Sequence, residues 1–207
     1  MRWQRVGAMV ALGLLAGCGS QLPPPESVAF TSPVAGRTPP LPARVMVYAG
    51  QDDLARPLKI QVTSLHSEEN PEVKDGLALA RAATTVLGRA FARVALDDAA
   101  LRPQIVVRPY GKALWFKLDG QLRIGCGLDA YTADGFPLGN FAGRFSVSTG
   151  NYQDDLLPAY AQCLKRPVES LLASPALARL AAAGFADPPA GPVEAWMRTL
   201  GPIPTPP

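Results

Sequence analysis

The chain has 207 residues, 48% of them hydrophobic, and carries 20 Lys and Arg against 17 Asp and Glu with a single His. That size and apolar content suit one domain with a real core plus tails. The near-even charge, without any basic run, gives no support to a nucleic-acid groove or a polybasic membrane patch. The 22 Pro and 19 Gly are too many for one compact domain, and they are unevenly spread.

Arg2 and Arg5 precede twelve apolar or small residues, Val6 to Gly17, which end in Leu15-Ala16-Gly17-Cys18. About 20 apolar residues are needed to span a bilayer as a helix, so residues 1–17 read as a secretory signal peptide and not as a membrane span. Seven prolines then fall between Gly19 and Pro42 with almost no apolar periodicity. Residues 18–42 therefore read as a semi-rigid, extended spacer of roughly 3 Å per residue. Seven more prolines mark a tail over 187–207, around an apolar patch from Val193 to Leu200 that holds Trp196 and Met197. Docking of that patch on the domain is the simpler expectation, and anchoring of a partner is the alternative.

Between the proline zones, 43–186 reads as the folded domain. Ala43–Ala49 is rich in β-branched residues and predicts a strand, as does Leu58–Ser64, where Leu58, Ile60 and Val62 share one face. Ser67–Glu72 is loop-like. Leu79, Ala83, Val86, Leu87, Ala90, Phe91 and Val94 recur every three or four residues and predict a helix over 73–94. Arg81, Arg89 and Arg93 lie off its stripe and read as a solvated face. Gln104–Arg108 predicts a strand continuing over 112–118, with Pro109 and Gly111 marking a bulge or a sheet edge. Over 121–132, Leu122, Ile124, Cys126, Leu128 and Ala130 point one way, and Arg123, Gly125, Gly127, Asp129 and Tyr131 point the other. Asp134-Gly135 predicts a hairpin turn into a strand over 136–148. Asp154 or Asp155 is a candidate cap for a last helix with a stripe from Leu156 to Leu172, in which Pro167 predicts a kink or a break. The sum is an α+β fold: a two-layer sandwich with a mainly antiparallel sheet of about four or five strands packed by two helices.

Leu15-Ala16-Gly17-Cys18 resembles the lipobox of bacterial lipoproteins, which implies that Cys18 is lipidated and begins the mature chain. Without Arg2 and Arg5 the mature balance is 18 basic residues against 17 acidic. Gly19, where an Asp favours inner-membrane retention in the enteric sorting rule, implies the periplasmic face of the outer membrane. The strand over Leu122–Tyr131, the Asp134-Gly135 turn, the strand through Phe141 and Gly143 and the final helix together resemble small Gram-negative outer-membrane lipoproteins, of the YajG type and of the lipopolysaccharide-assembly type. The long proline segment departs from the latter. Auxiliary lipoproteins of lipid-transporting ABC systems are a further candidate, with no residues that single them out.

The chemistry-bearing residues are few. His66 stands in a polar loop with no Gly-x-Ser-x-Gly elbow to accompany it, so the expectation is no catalytic site. Metal ligands and cofactors are not expected either, since Cys126 and Cys163 lie far apart without neighbouring ligands. The acidic pairs Asp52-Asp53, Glu68-Glu69, Asp97-Asp98 and Asp154-Asp155 read as turn and cap residues. Gly125-Cys126-Gly127 lacks the third glycine of a phosphate loop and reads as a place where something packs close to the sheet. Cys126 falls on the apolar face of its strand and Cys163 on the apolar stripe of the last helix. In an oxidising compartment they predict a core disulfide, the alternative being two buried thiols.

These readings predict a non-catalytic adaptor or scaffold, held to the membrane by its N-terminal lipid and binding another envelope component, most simply a protein. The alternative is a carrier or chaperone of a lipid or glycolipid. Such a carrier needs an open apolar cleft between sheet and helix. Leu114, Trp115 and Phe116 fall on both faces of one strand, so at least one large apolar side chain lies off the core face, which fits either a ligand surface or burial under the C-terminal tail.

Overall fold

The computed structural model describes residues 22–31 and 40–186. Cys18, the signal segment and the proline-rich tail with Trp196 and Met197 lie outside the described residues. In chain order the elements are β1 (Leu41–Val47), α1 (Gln51–Ala55), β2 (Pro57–Gln61), β3 (Ser67–Lys74), α2 (Asp75–Leu87), β4 (Phe91–Leu96), β5 (Ile105–Phe116), β6 (Gln121–Thr132), β7 (Pro137–Ser148), α3 (Tyr152–Leu172) and α4 (Pro175–Ala182).

The architecture is α+β, a sheet of seven strands with helices on one face. It is larger than the four or five strands expected and mixed in direction. β2–β3, β5–β6 and β6–β7 are antiparallel, while β1–β4, β1–β5 and β2–β5 are parallel. Two local readings account for the difference. The polar stretch 67–72 forms an edge strand, because its backbone pairs with β2 whatever its side chains prefer. The helix expected over 73–94 stops at Leu87 with Gly88 as its C-cap, and Phe91 starts a strand parallel to β1. Phe91 and Val94 join the core from that strand and not from a helical stripe.

β5 is neither bulged nor at an edge. It pairs with β6 over its whole length, while its other side is shared end to end: Ile105–Val107 meet β1, and Leu114–Phe116 meet β2. Pro109 falls in the gap between those two partners, where a missing N–H leaves no ladder bond unmade. The same gap admits the start of α2. Its first residue, Asp75, is buried and accepts hydrogen bonds from the Ala113 amide, from Tyr160 Oη at 2.6 Å and from Arg56 Nε and Nη2 at 3.0 and 2.9 Å. Burial raises the Asp75 carboxyl against the pull of Arg56, and burial beside that carboxylate drives the Tyr160 hydroxyl up as well. Gly76 is required at the next position, since a Cβ there would stand 1.6 Å from the Asp53 carbonyl oxygen.

α3 is one continuous helix of 21 residues that passes through both Pro158 and Pro167, so the division into two short helices does not occur. Both prolines are buried, and the tight packing of α3 on β7 holds the helix together. A Cβ at Gly143 would lie 2.8 Å from the Cys163 carbonyl oxygen, the group that Pro167 leaves without its helical donor, and 3.0 Å from Pro167 Cδ. The cap is Asn151, whose side chain accepts from the Asp154 amide. Asp155, offered as a cap from the sequence, is buried and accepts from Thr149 Oγ1.

Residues 22–31, within the segment expected to be a semi-rigid, extended spacer, pack on the domain instead. Pro25–Ser27 form a 3-10 turn on α2 and α3, Val28 is 1% exposed within the core, and Leu22 and Phe30 pack against it. Thr31 Oγ1 donates to Glu169 at 2.7 Å, and Arg89 donates to the Glu26 carbonyl. Prolines do not preclude this, because the segment needs no ladder of its own: Val28 and Leu22 fill a groove that the helices leave open. β1 starts at Leu41, inside the expected spacer.

Candidate functional site

The helices cover one face of the sheet, and the strand period of two sorts every side chain between that face and the open one. Inward from β6 point Leu122, Ile124, Cys126, Leu128 and Ala130, all buried. Cys126 and Cys163 are joined by a disulfide with Cα atoms 6.2 Å apart, tying the sheet to α3. Trp115 also points inward and packs on Tyr152 at 4.5 Å between ring centroids.

On the open face, register puts Arg108, Asp129 and Asn140 in one cross-strand row, and Tyr110, Gly127 and Ala142 in the next. Lys112, Gly125 and Arg144 follow, and then Leu114, Arg123 and Ser146. The first two rows are tightly built. Tyr110 donates to Asn140 Oδ1 at 3.0 Å, and Asn140 donates to Asp129. The far end of the Tyr110 ring lies over Gly127, where a Cβ would come within 2.2 Å of its Cζ. Burial raises the Tyr110 hydroxyl, with Asp129 adding to the rise. The glycine of Gly125-Cys126-Gly127 that takes the close approach is therefore Gly127, and what it meets is an aromatic ring of the same sheet.

The next rows form an open groove of about 520 Å³, lined by the side chains of Lys112, Leu114, Phe116, Arg123, Arg144 and Ser146, with Gly125 in its floor. Arg123 is held by Asp119 at 3.4 Å and Gln121 at 3.1 Å, with its guanidinium carbon 4.0 Å above the Phe116 ring. Beyond the groove, register adds Lys59, Arg44 and Arg93 to the same face, against Glu69 and Asp129. A chain close to neutral overall thus carries a basic sheet face. No sequence window reveals it, because its cations come one at a time from alternating positions of separate strands.

The remaining sequence candidates do not converge on this face. His66 lies in the β2–β3 turn, exposed, with Nε2 3.3 Å from Glu68 Oε1. Asp52 and Asp53 occupy the first turn of α1, Glu68 and Glu69 lie on β3, and Asp97 Oδ1 accepts from the Ala49 amide at 2.8 Å. Arg81 is exposed on α2, whereas Arg93 belongs to β4. No group of three or more metal-ligating side chains occurs among the described residues, and no helix there is long and apolar enough to cross a membrane.

No family model and no curated protein matches the chain. The fold has counterparts among solved structures. Protein XCC0632 from Xanthomonas campestris, assigned to the DUF330 family, superposes with a TM-score of 0.50 at 9% identity, covering 75% of this chain and 95% of that one. The chain shares that fold. A PelC dodecamer subunit from Paraburkholderia phytofirmans gives a TM-score of 0.40 at 13% identity, over 61% of this chain and 89% of that one. An uncharacterized protein gives 0.42 at 14% identity, over 65% and 94%.

Proposed function

We propose that the protein is a non-catalytic adaptor of the cell envelope, anchored through a lipid on Cys18 to the periplasmic face of the outer membrane. It presents the open face of its sheet to another envelope component. The packed Leu22–Thr31 segment carries this reading. If Cys18 is the anchor, only four residue steps separate it from Leu22, a reach of at most about 14 Å. Leu22 packs against the core just ahead of the Pro25–Ser27 turn, which lies on α2 and α3. The helices therefore stay near the bilayer and the basic sheet face is turned away from it, toward the periplasm and its partners. Confinement at the membrane raises the effective concentration of the face for partners there.

Metabolic labelling with a fatty-acid analogue tests the anchor: label is expected on the wild-type chain and not on Cys18→Ser, and equal labelling of both ends the reading. A photoreactive residue at Ser146, on the open face, is expected to capture an envelope component in intact cells, while one at Arg81 on α2 captures none. The reverse pattern would show that the helices face the partner. A second reading, a lipid or glycolipid carrier, is favoured by one observation: Leu114 and Phe116 point away from the core into a groove beside three cations.

A further inference from the structure

Lys112 and Arg144 flank Gly125 in one cross-strand row. At about 4.8 Å per strand spacing their Cα atoms stand roughly 10 Å apart, with no side chain between them. Two long cationic side chains on either side of a bare saddle can converge on one tetrahedral anion. Arg123, one row along, bounds the saddle, and no carboxylate lines the groove. Lys112 has no ion pair among the described residues, and the nearest acid in sequence to the groove, Asp119, is engaged by Arg123.

From this cationic row the lining changes character along the strand. Leu114 and then Phe116 project into the groove, and Phe116 lies about 13 Å from Lys112 at roughly 3.3 Å per residue. The track does not end there. The β5–β6 turn carries Leu118, 81% exposed, and the β2–β3 turn carries Leu65, 97% exposed. The two turns emerge together, because the Lys117 amide donates to the Gln61 carbonyl at 3.0 Å. Large apolar side chains so exposed on a soluble surface mark contact with something apolar when they are grouped. Here they stand on the paired turns at the end of the sheet toward which Leu114 and Phe116 lead.

We propose that this groove binds a single anionic glycerophospholipid. Its phosphate sits over Gly125 between Lys112 and Arg144, and its acyl chains run past Leu114 and Phe116 toward Leu118 and Leu65. The proposal rests on the reading of the open sheet face as the binding face, but not on the lipid anchor. A bilayer surface is not the intended occupant, since one pair of cations about a single glycine seats one phosphate and not a field of headgroups. Charge gives the headgroup preference, and the apolar strip separates a lipid from a bare anion.

The test uses the mature chain with Cys18→Ser, exported behind a cleavable non-lipoprotein signal so that the disulfide forms. Calorimetric titrations compare dihexanoyl phosphatidylglycerol below its micellar concentration, dihexanoyl phosphatidylcholine and inorganic phosphate. Phosphatidylglycerol is expected to bind at least tenfold more tightly than either of the others. Lys112→Gln with Arg144→Gln should weaken it at least tenfold, and Leu118→Ser with Leu65→Ser should weaken it severalfold. All four side chains are exposed, so the variants are expected to fold, and their melting curves check this. Equal affinity for phosphatidylcholine would overturn the headgroup assignment, and equal affinity for phosphate would reduce the site to a bare anion site. Absence of binding, or binding indifferent to both double variants, would refute the groove. Crosslinking at Ser146 to a protein would survive any of those failures, so the adaptor reading stands or falls separately.

Discussion

Reducing the Cys126–Cys163 bridge should cost the fold a large and calculable part of its stability. The two cysteines are 37 residues apart in sequence, and the loop between them contains the end of β6, all of β7 and the first half of α3. In the chain-entropy model, closing a loop of that length restricts the unfolded ensemble by about 3.8 kcal/mol at 25 °C. For a domain of this size each kcal/mol moves the melting temperature by roughly 2–4 °C, so the reduced chain should melt about 8–15 °C lower. Both sulfurs are buried, Cys126 at 0% and Cys163 at 1% exposure, so reductant alone acts slowly. The chain should be unfolded with reductant and refolded in its presence before the scan. Cys126→Ala with Cys163→Ala should melt lower than the reduced wild type, because it also removes the packing of two sulfurs at the sheet–helix contact. Scanning calorimetry of the three forms, with non-reducing peptide mapping of the oxidised one, makes the comparison. Oxidised and reduced forms that melt within about 2 °C of each other would refute the entropic argument at this site, since calorimetric accounts that locate the effect elsewhere would then be needed.

Gly127→Ala should displace the Tyr110 ring and break its bond to Asn140, destabilising by about 1–3 kcal/mol, the usual range for overpacking. Ultraviolet titration should show one tyrosine moving down toward the ordinary value in the variant, and an unchanged titration would contradict the stacked geometry. Val28→Ala should lower stability by about 1–3 kcal/mol in urea unfolding; a neutral result would mean that Leu22–Thr31 is not part of the core. The raised Asp75 carboxyl sets a pH dependence. Its native pKa lies above the unfolded value, so the native chain binds that proton more tightly, and stability falls as pH rises through the native pKa. Asp75→Asn should flatten that limb in urea midpoints measured from pH 3.8 upward, while the contribution of the same sign from Asp97 stays; an unchanged slope would show that Asp75 does not titrate differently on folding.

Residues whose role is set by local chemistry were legible in the sequence. The alternation from Leu122 to Tyr131 fixed which side chains of β6 face the helices, because a strand has only two faces. The stripe through Cys163 fixed the buried side of α3, and together they brought the two cysteines into one core. The Asp134-Gly135 turn follows from the backbone freedom of Gly135, whose φ is +87°. The lipobox resemblance at Cys18 is likewise a matter of short-range pattern. Partners distant in sequence decided the rest. β3 is polar and looks like a loop until β2 offers its backbone a ladder, and Phe91–Leu96 carries a helix-compatible period until β1 pairs with it in parallel. The apolar residues of Leu22–Phe30 are too sparse to predict burial, which depends on the groove between α2 and α3. Tertiary structure alone made the basic face. Lys112, Arg123 and Arg144 are never closer than eleven positions in the chain, and only the register of β5, β6 and β7 sets them around Gly125. Charge, unlike apolar periodicity, needs no repeat to accumulate on a surface, so a face assembled from single cations on neighbouring strands leaves no trace in any one segment.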